Sequence, residues 1–140
     1  KTYEYKILNR RFDMPTERLY STFVYYPLDI DKMKRAAAVL VGEHDFKSFC
    51  GNKQMKKSTV RKLFAIDIKE DGDYVILDFY GAGFLQNMVR ILTGTLVEVG
   101  AGRMEPAYME EVLTGRCRQL AGPTAPPQGL CLMQVDYEKK

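Results

Sequence analysis

The stretch Asp71-Gly-Asp-Tyr-Val-Ile-Leu-Asp-Phe-Tyr80, continuing through Gly81-Ala-Gly-Phe-Leu-Gln-Asn-Met-Val-Arg90 to Ile91-Leu-Thr-Gly-Thr-Leu-Val-Glu-Val-Gly100, decides the fold of this 140-residue chain. Asp71-Gly72 is a hairpin signal, because Asp and Gly tolerate the left-handed backbone that a tight turn requires. Before it, Thr59 to Lys69 alternates, with Val60, Phe64, Ile66 and Ile68 as the main apolar members; after it, Tyr74 to Tyr80 reads as the second strand. Then the period changes. Phe84, Leu85, Met88, Val89, Ile91, Leu92, Leu96 and Val99 share one broad helical arc, which predicts a helix over roughly Phe84 to Val99.

The same reading extends outward. Lys1-Thr-Tyr-Glu-Tyr-Lys-Ile-Leu8 sets Tyr3, Tyr5 and Ile7 against Thr2, Glu4 and Lys6, as a half-buried strand does. Asn9 to Ser21 is polar and loop-like, and Thr22 to Tyr26 is a short aromatic strand closed by Pro27. Asp29 is placed to cap a helix through about Leu40, with Met33, Ala36, Ala37 and Leu40 at helical spacing and Gly42 as its stop. Glu43 to Ser58 reads as a loop, Glu105 to Thr114 as a shorter helix, and Leu130 to Tyr137 as a final strand after a Pro-rich loop. The expected fold is α+β, an antiparallel sheet with helices packed on one face.

Composition narrows the function. With 46% hydrophobic and 28% charged residues the chain is globular, not disordered or fibrous. Lys plus Arg exceed the acids by 21 to 18, so any nucleic-acid affinity must come from a local patch. Cys50, Cys117 and Cys131 form no Cys-x-x-Cys pair, and a zinc set would need all three plus the single His44, without the usual spacing. Free thiols in a reducing cytoplasm are the expectation. One histidine and no Gly-x-Ser-x-Gly elbow argue against a Ser-His-Asp hydrolase. No apolar run approaches the ~20 residues that span a bilayer and no signal-peptide pattern is present, so no membrane partner is expected.

Three groups of residues are functional candidates. Arg90 lies on the polar arc of the long helix with Gln86, Asn87, Thr93 and Gly94, either solvated or aimed at a carboxylate or phosphate, which its planar donor fork suits. The segment from Phe46 to Lys62 carries Lys47, Lys53, Lys56, Lys57, Arg61 and Lys62 and no acid; it is a polyanion-binding run or a solubilising loop. Its Phe46 and Phe49 either stack on bases or pin the loop to the core. Tyr3 and Tyr5 share one strand face, where a phenol ring can stack on a base or simply pack.

Four ordered segments carry a resemblance. Lys1-Thr-Tyr-Glu-Tyr5, His44-Asp-Phe-Lys-Ser-Phe49, Gly83 to Gly100 and Ala121-Gly-Pro-Thr-Ala-Pro-Pro-Gln-Gly-Leu130, followed by the closing strand from Leu130, resemble the TruA family of tRNA pseudouridine synthases. The resemblance implies a ferredoxin-like half of the pseudouridine synthase fold and isomerisation of uridine to pseudouridine at positions 38 to 40 in the anticodon arm of tRNA. It implies an aspartate nucleophile, no cofactor and no metal. Arg90 would orient that nucleophile, Tyr3 would stack on the target uracil with Tyr5 in the core, and Leu130 or Leu132 would floor the pocket. Lys47, Lys53, Lys56, Lys57, Arg61 and Lys62 would contact tRNA, and the family's members usually form homodimers.

The family's nucleophile motif, Gly-Arg-Thr-Asp-x-Gly-Val-His, does not occur between Lys1 and Lys140, and Asp67 and Asp78 lack its flanks. The expectation is therefore that residues 1–140 are the C-terminal domain, that an N-terminal half carries the nucleophile, and that the isolated chain is inactive. A start inside a strand, without an initiator Met, fits that expectation. The alternatives are a stand-alone RNA-binding module or a dimerisation module without catalysis.

Overall fold

The structure, a computed structural model, describes residues 1–10, 21–52 and 54–134. The hairpin forms where the turn chemistry placed it. Strand β4 (Val60–Asp71) pairs antiparallel with β5 (Tyr74–Gly81), and Gly72 sits between them at φ +61. Strand β1 (Thr2–Asn9) lies on the far side of β5, pairing Tyr3 with Phe79, Tyr5 with Leu77 and Ile7 with Val75. The other edge of β1 is shared. Strand β2 (Thr22–Val24) runs parallel to its C-terminal half, and β6 (Leu130–Gln134) runs antiparallel to its N-terminal half. The β1–β2 pair makes the sheet mixed, where a wholly antiparallel one was expected. Residues 135–137 of the expected last strand, and most of the Asn9 to Ser21 loop, lie outside the described residues.

One strand was missed. Strand β3 (Gly42–Asp45) extends the sheet beyond β4, overlapping the Glu43 to Ser58 stretch whose composition predicts a loop. Its Gly-Glu-His-Asp sequence has no apolar alternation, so only backbone pairing with Val60–Leu63 defines it. Strand β4 departs in phase as well. A register shift between Leu63 and Ala65 turns Leu63 into the core with Ile68, and leaves Phe64 56% exposed and Val60 42% exposed. The simple alternation that put Val60 and Phe64 inside is thereby corrected.

Helix α1 (Ile30–Leu40) starts where Asp29 accepts the Lys32 backbone N–H at 3.2 Å, and buries Met33, Ala36, Ala37 and Leu40. Helix α2 (Met88–Gly100) starts four residues later than the apolar arc suggested. Asn87 stands at φ +59, a left-handed step that Asn tolerates and that helix cannot continue through. Helix α3 (Tyr108–Gly115) is shorter than expected.

The helices cover one face of the sheet: α2 meets β1, α1 meets β4 and α3 meets β3. Between the layers lie Tyr5, Ile7, Leu63, Ile68, Leu77 and Phe79 from the sheet, with Met33, Leu40, Ile91, Leu92 and Leu96 from the helices, in one core. The opposite face carries Glu4, Lys6, Asp67, Lys69 and Asp78. Thr93 and Gly94, expected on an open polar arc, are buried, because the Pro-rich loop after residue 120 lies across that side of α2.

Candidate functional site

Arg90 occupies the first turn of α2, and both its backbone and its side chain are tied to the Pro-rich loop. The Ala125 N–H donates to the Arg90 carbonyl at 3.0 Å, and Arg90 Nε donates to the Ala125 carbonyl at 2.7 Å. Arg90 Nη1 also donates to Asn87 Oδ1 at 3.3 Å. The loop can come this close because residue 94 lacks a side chain: a Cβ there would stand 1.7 Å from the Pro123 carbonyl oxygen. The Gly122 N–H adds a bond to the buried Thr95 hydroxyl at 2.9 Å. The guanidinium is thus held through Nε and Nη1, and among the described residues no acceptor engages its Nη2.

Arg90 helps to line a small pocket of ≈ 110 Å³, to which Tyr3, Phe84, Asn87 and Leu130 also contribute. Tyr3 meets Phe84 edge-on, with ring centroids 5.0 Å apart. Among the described residues none that lines this pocket is acidic, so Arg90 contributes to it without a carboxylate partner there. A cation presented in this way suits an anionic group brought in from elsewhere.

Three of the expected site residues, Tyr3, Arg90 and Leu130, therefore meet at one pocket. Leu132 pairs with Tyr3 across the β1–β6 ladder but does not line the pocket and is 48% exposed. Tyr5 is fully buried, as expected for a core residue. Its hydroxyl donates to the Pro126 carbonyl at 2.5 Å and pairs with Thr22 Oγ1 at 2.6 Å. Burial raises its pKa, against the opposing pull of the Thr22 hydrogen bond and the Arg90 charge.

The basic segment is divided. Lys47, Lys56, Lys57 and Lys62 are exposed, whereas Arg61 spends Nη1 on the carbonyls of Ser58 and Val60. Lys62 reaches over the exposed Phe64 ring, 5.8 Å from its centroid. Lys53 lies outside the described residues. Phe46 and Phe49 are fully buried, which leaves pinning the loop, not base stacking, as what they do.

The strand aspartates Asp67 and Asp78, which lack the nucleophile motif's flanks, do not line this pocket. Asp78 pairs with Glu4 on one side and Asp67 on the other, on the sheet face opposite to Tyr3. Burial, then the Glu4 carboxylate, pushes its carboxyl up to about 6. All three cysteines are free. Among the described residues no group of three His, Cys, Asp or Glu side chains is placed to hold a metal ion, and no helix is long and apolar enough to cross a membrane.

Sequence reasoning missed what holds Arg90. Asn87, Gly94, Pro123 and Ala125 do so together, and the visible signal was a glycine one turn beyond the arginine. A six-stranded sheet with helices on one face fits the half-fold of a pseudouridine synthase. Residues 36–138 match the sequence profile described as tRNA pseudouridine synthase. The chain is 48% identical over 140 residues to tRNA pseudouridine synthase A of Listeria monocytogenes serotype 4b, and 47% identical over 137 residues to that of Geotalea uraniireducens. It is 44% identical over 137 residues to the enzyme of Thermoanaerobacter pseudethanolicus. These alignments cover 98–99% of this chain and 56% of each relative, so the chain spans about half the length of the curated relatives it matches. The chain belongs to the tRNA pseudouridine synthase family.

Proposed function

We propose that this chain is the C-terminal half of an enzyme that isomerises uridine to pseudouridine at positions 38 to 40 in the anticodon arm of tRNA. The observation that supports this most is Arg90, held through Nε and Nη1 by Ala125 and Asn87 and lining an acid-free pocket together with Tyr3. An aspartate nucleophile supplied by the other half of the polypeptide would meet that guanidinium. The paired cation would keep the carboxylate ionised in a partly desolvated site, as nucleophilic attack requires. Tyr3 would stack on the uracil while the glycosidic C–N bond breaks, the base rotates, and a C–C bond forms at C5. The C5 proton is lost and N1 gains one, so the reaction is an isomerisation. Leu130, which lines the pocket, would border the base in preference to Leu132, and the exposed lysines of the 46–62 segment would meet tRNA phosphates. A homodimer in the cytoplasm is the working state that the family resemblance implies.

The test is tritium release from C5-labelled uridine in tRNA. In the full-length polypeptide, Arg90→Ala is expected to reduce turnover far more than tRNA affinity, because it removes the partner of the nucleophile and few phosphate contacts. An equal collapse of affinity and turnover would make Arg90 a phosphate ligand and overturn this assignment. The isolated 140-residue chain is expected to release no tritium; release would show that its own residues supply the nucleophile.

A further inference from the structure

A cavity roomier than the Arg90 pocket lies elsewhere in the domain. A cavity of ≈ 640 Å³ opens between the loop that follows β3 and the turn that follows α3. Lys47 and Lys57 line it from the first segment and Arg116 and Arg118 from the second, against a single acid, Asp45. The lining thus carries a net of three positive charges, equal to the formal excess of the whole chain.

The one acid is already engaged. Asp45 accepts the Thr59 hydroxyl at 2.5 Å and the Lys47 backbone N–H at 3.1 Å, and pairs with Arg116 at 3.5 Å. Arg118 is fixed by the Gly122 carbonyl and Thr124 Oγ1, so it contributes field more than free donors. The two walls are joined by Ser48, which is fully buried. Its hydroxyl donates to the Val112 carbonyl at 2.6 Å and accepts the Cys117 N–H at 2.8 Å. The site is therefore assembled before any ligand arrives, which lowers the ordering cost of binding. Its loop wall also touches the Arg90 pocket, because the Gly51 N–H donates to the Gln86 carbonyl at 2.8 Å, one residue before Asn87.

We propose that this cavity holds a backbone phosphodiester of the bound RNA strand, gripped by Arg116, Lys57 and Lys47. This deepens the tRNA reading and rests on it. Arg116 offers a planar donor fork that a tetrahedral phosphate can accept from twice, and the two lysines add point charge. An RNA strand seated here would lie against the loop that abuts Asn87, and so would be registered relative to the Arg90 pocket.

The experiment measures tRNA affinity against salt for the full-length polypeptide, for Lys57→Gln with Arg116→Gln, and for Lys34→Gln with Arg35→Gln. The last pair removes two exposed charges from α1 as a matched control. Loss of one phosphate contact should lower the slope of log affinity on log salt by about 0.7–0.9 and weaken binding by roughly tenfold at low salt, with the control close to the parent. Lys57→Gln alone, at an exposed side chain outside the Arg116–Asp45 pair, should give part of the loss and keeps the test valid if the double variant folds poorly. A steep parent slope with the cavity variants indistinguishable from the control overturns the phosphate site and leaves the tRNA reading standing. A flat parent slope overturns both.

Discussion

Replacing Gly94 with alanine separates two physical effects of opposite sign. On helix propensity alone, Gly→Ala inside α2 should stabilise by about 1 kcal/mol. The structure reverses this. The new Cβ would lie 1.7 Å from the Pro123 carbonyl oxygen and 2.9 Å from its carbon, so helix and loop must separate by about 1.5 Å to restore ordinary contact. That displacement would carry the Arg90 Nε bond to Ala125, the return bond from the Ala125 N–H, and the Gly122 bond to Thr95 beyond hydrogen-bonding range. One bond to a charged donor and two neutral bonds amount to roughly 3.5–5 kcal/mol. After the propensity gain, a net loss of about 3 kcal/mol is expected. Equilibrium unfolding in urea should show a midpoint lowered by roughly 1–2 M with the slope unchanged. A midpoint equal to or above the parent's would refute the close approach, and with it the account of how the Pro-rich loop holds Arg90.

Tyr5→Phe leaves the core volume intact but strips the Pro126 carbonyl and Thr22 of their partner; a loss of about 1–2 kcal/mol by the same unfolding measurement is expected, and no change would mean that the hydroxyl contributes nothing. Asp78 has a folded-state pKa of about 6 against 3.8 for the free group, so the folded state binds its proton more tightly and stability falls as pH rises between those values. Asp78→Asn should therefore stabilise by about 1 kcal/mol at neutral pH, after allowance for solvent screening, with the gain vanishing near pH 4. A gain independent of pH would place its origin outside the Glu4–Asp78 pair.

Periodicity carried the parts of the fold in which burial follows a simple repeat. The hairpin, α1 with its Asp29 cap and the inward set Tyr5 and Ile7 all follow from spacing of apolar residues and turn chemistry. Features set by backbone geometry were not legible. Strand β3 has no side-chain pattern, and the register shift that expels Phe64 depends on how β4 meets β5. The start of α2 was misread because Phe84 and Leu85 join the core or its edge from an irregular turn, so the apolar arc continues where the helix does not. At the site, residue identity suggested Tyr3, Arg90 and Leu130, but what brings them together is tertiary. Arg116 and Arg118 stand out in no pattern, because Lys47 and Lys57, which line the same cavity, are about 60–70 residues away in the chain.

The position of β1 has a consequence for biogenesis. Its residues leave the ribosome long before either main neighbour: Tyr3 must wait for Phe79 on one side and for Leu132 on the other. At ~5–20 residues per second, the second wait lasts roughly 6–25 s. Through that interval the strand that carries Tyr3 has open backbone donors and acceptors along the edge that β6 later covers, a template for mispairing with other nascent chains. Glu4 and Lys6, charges on the face away from the helices, make such mispairing costly before the last strand closes the sheet.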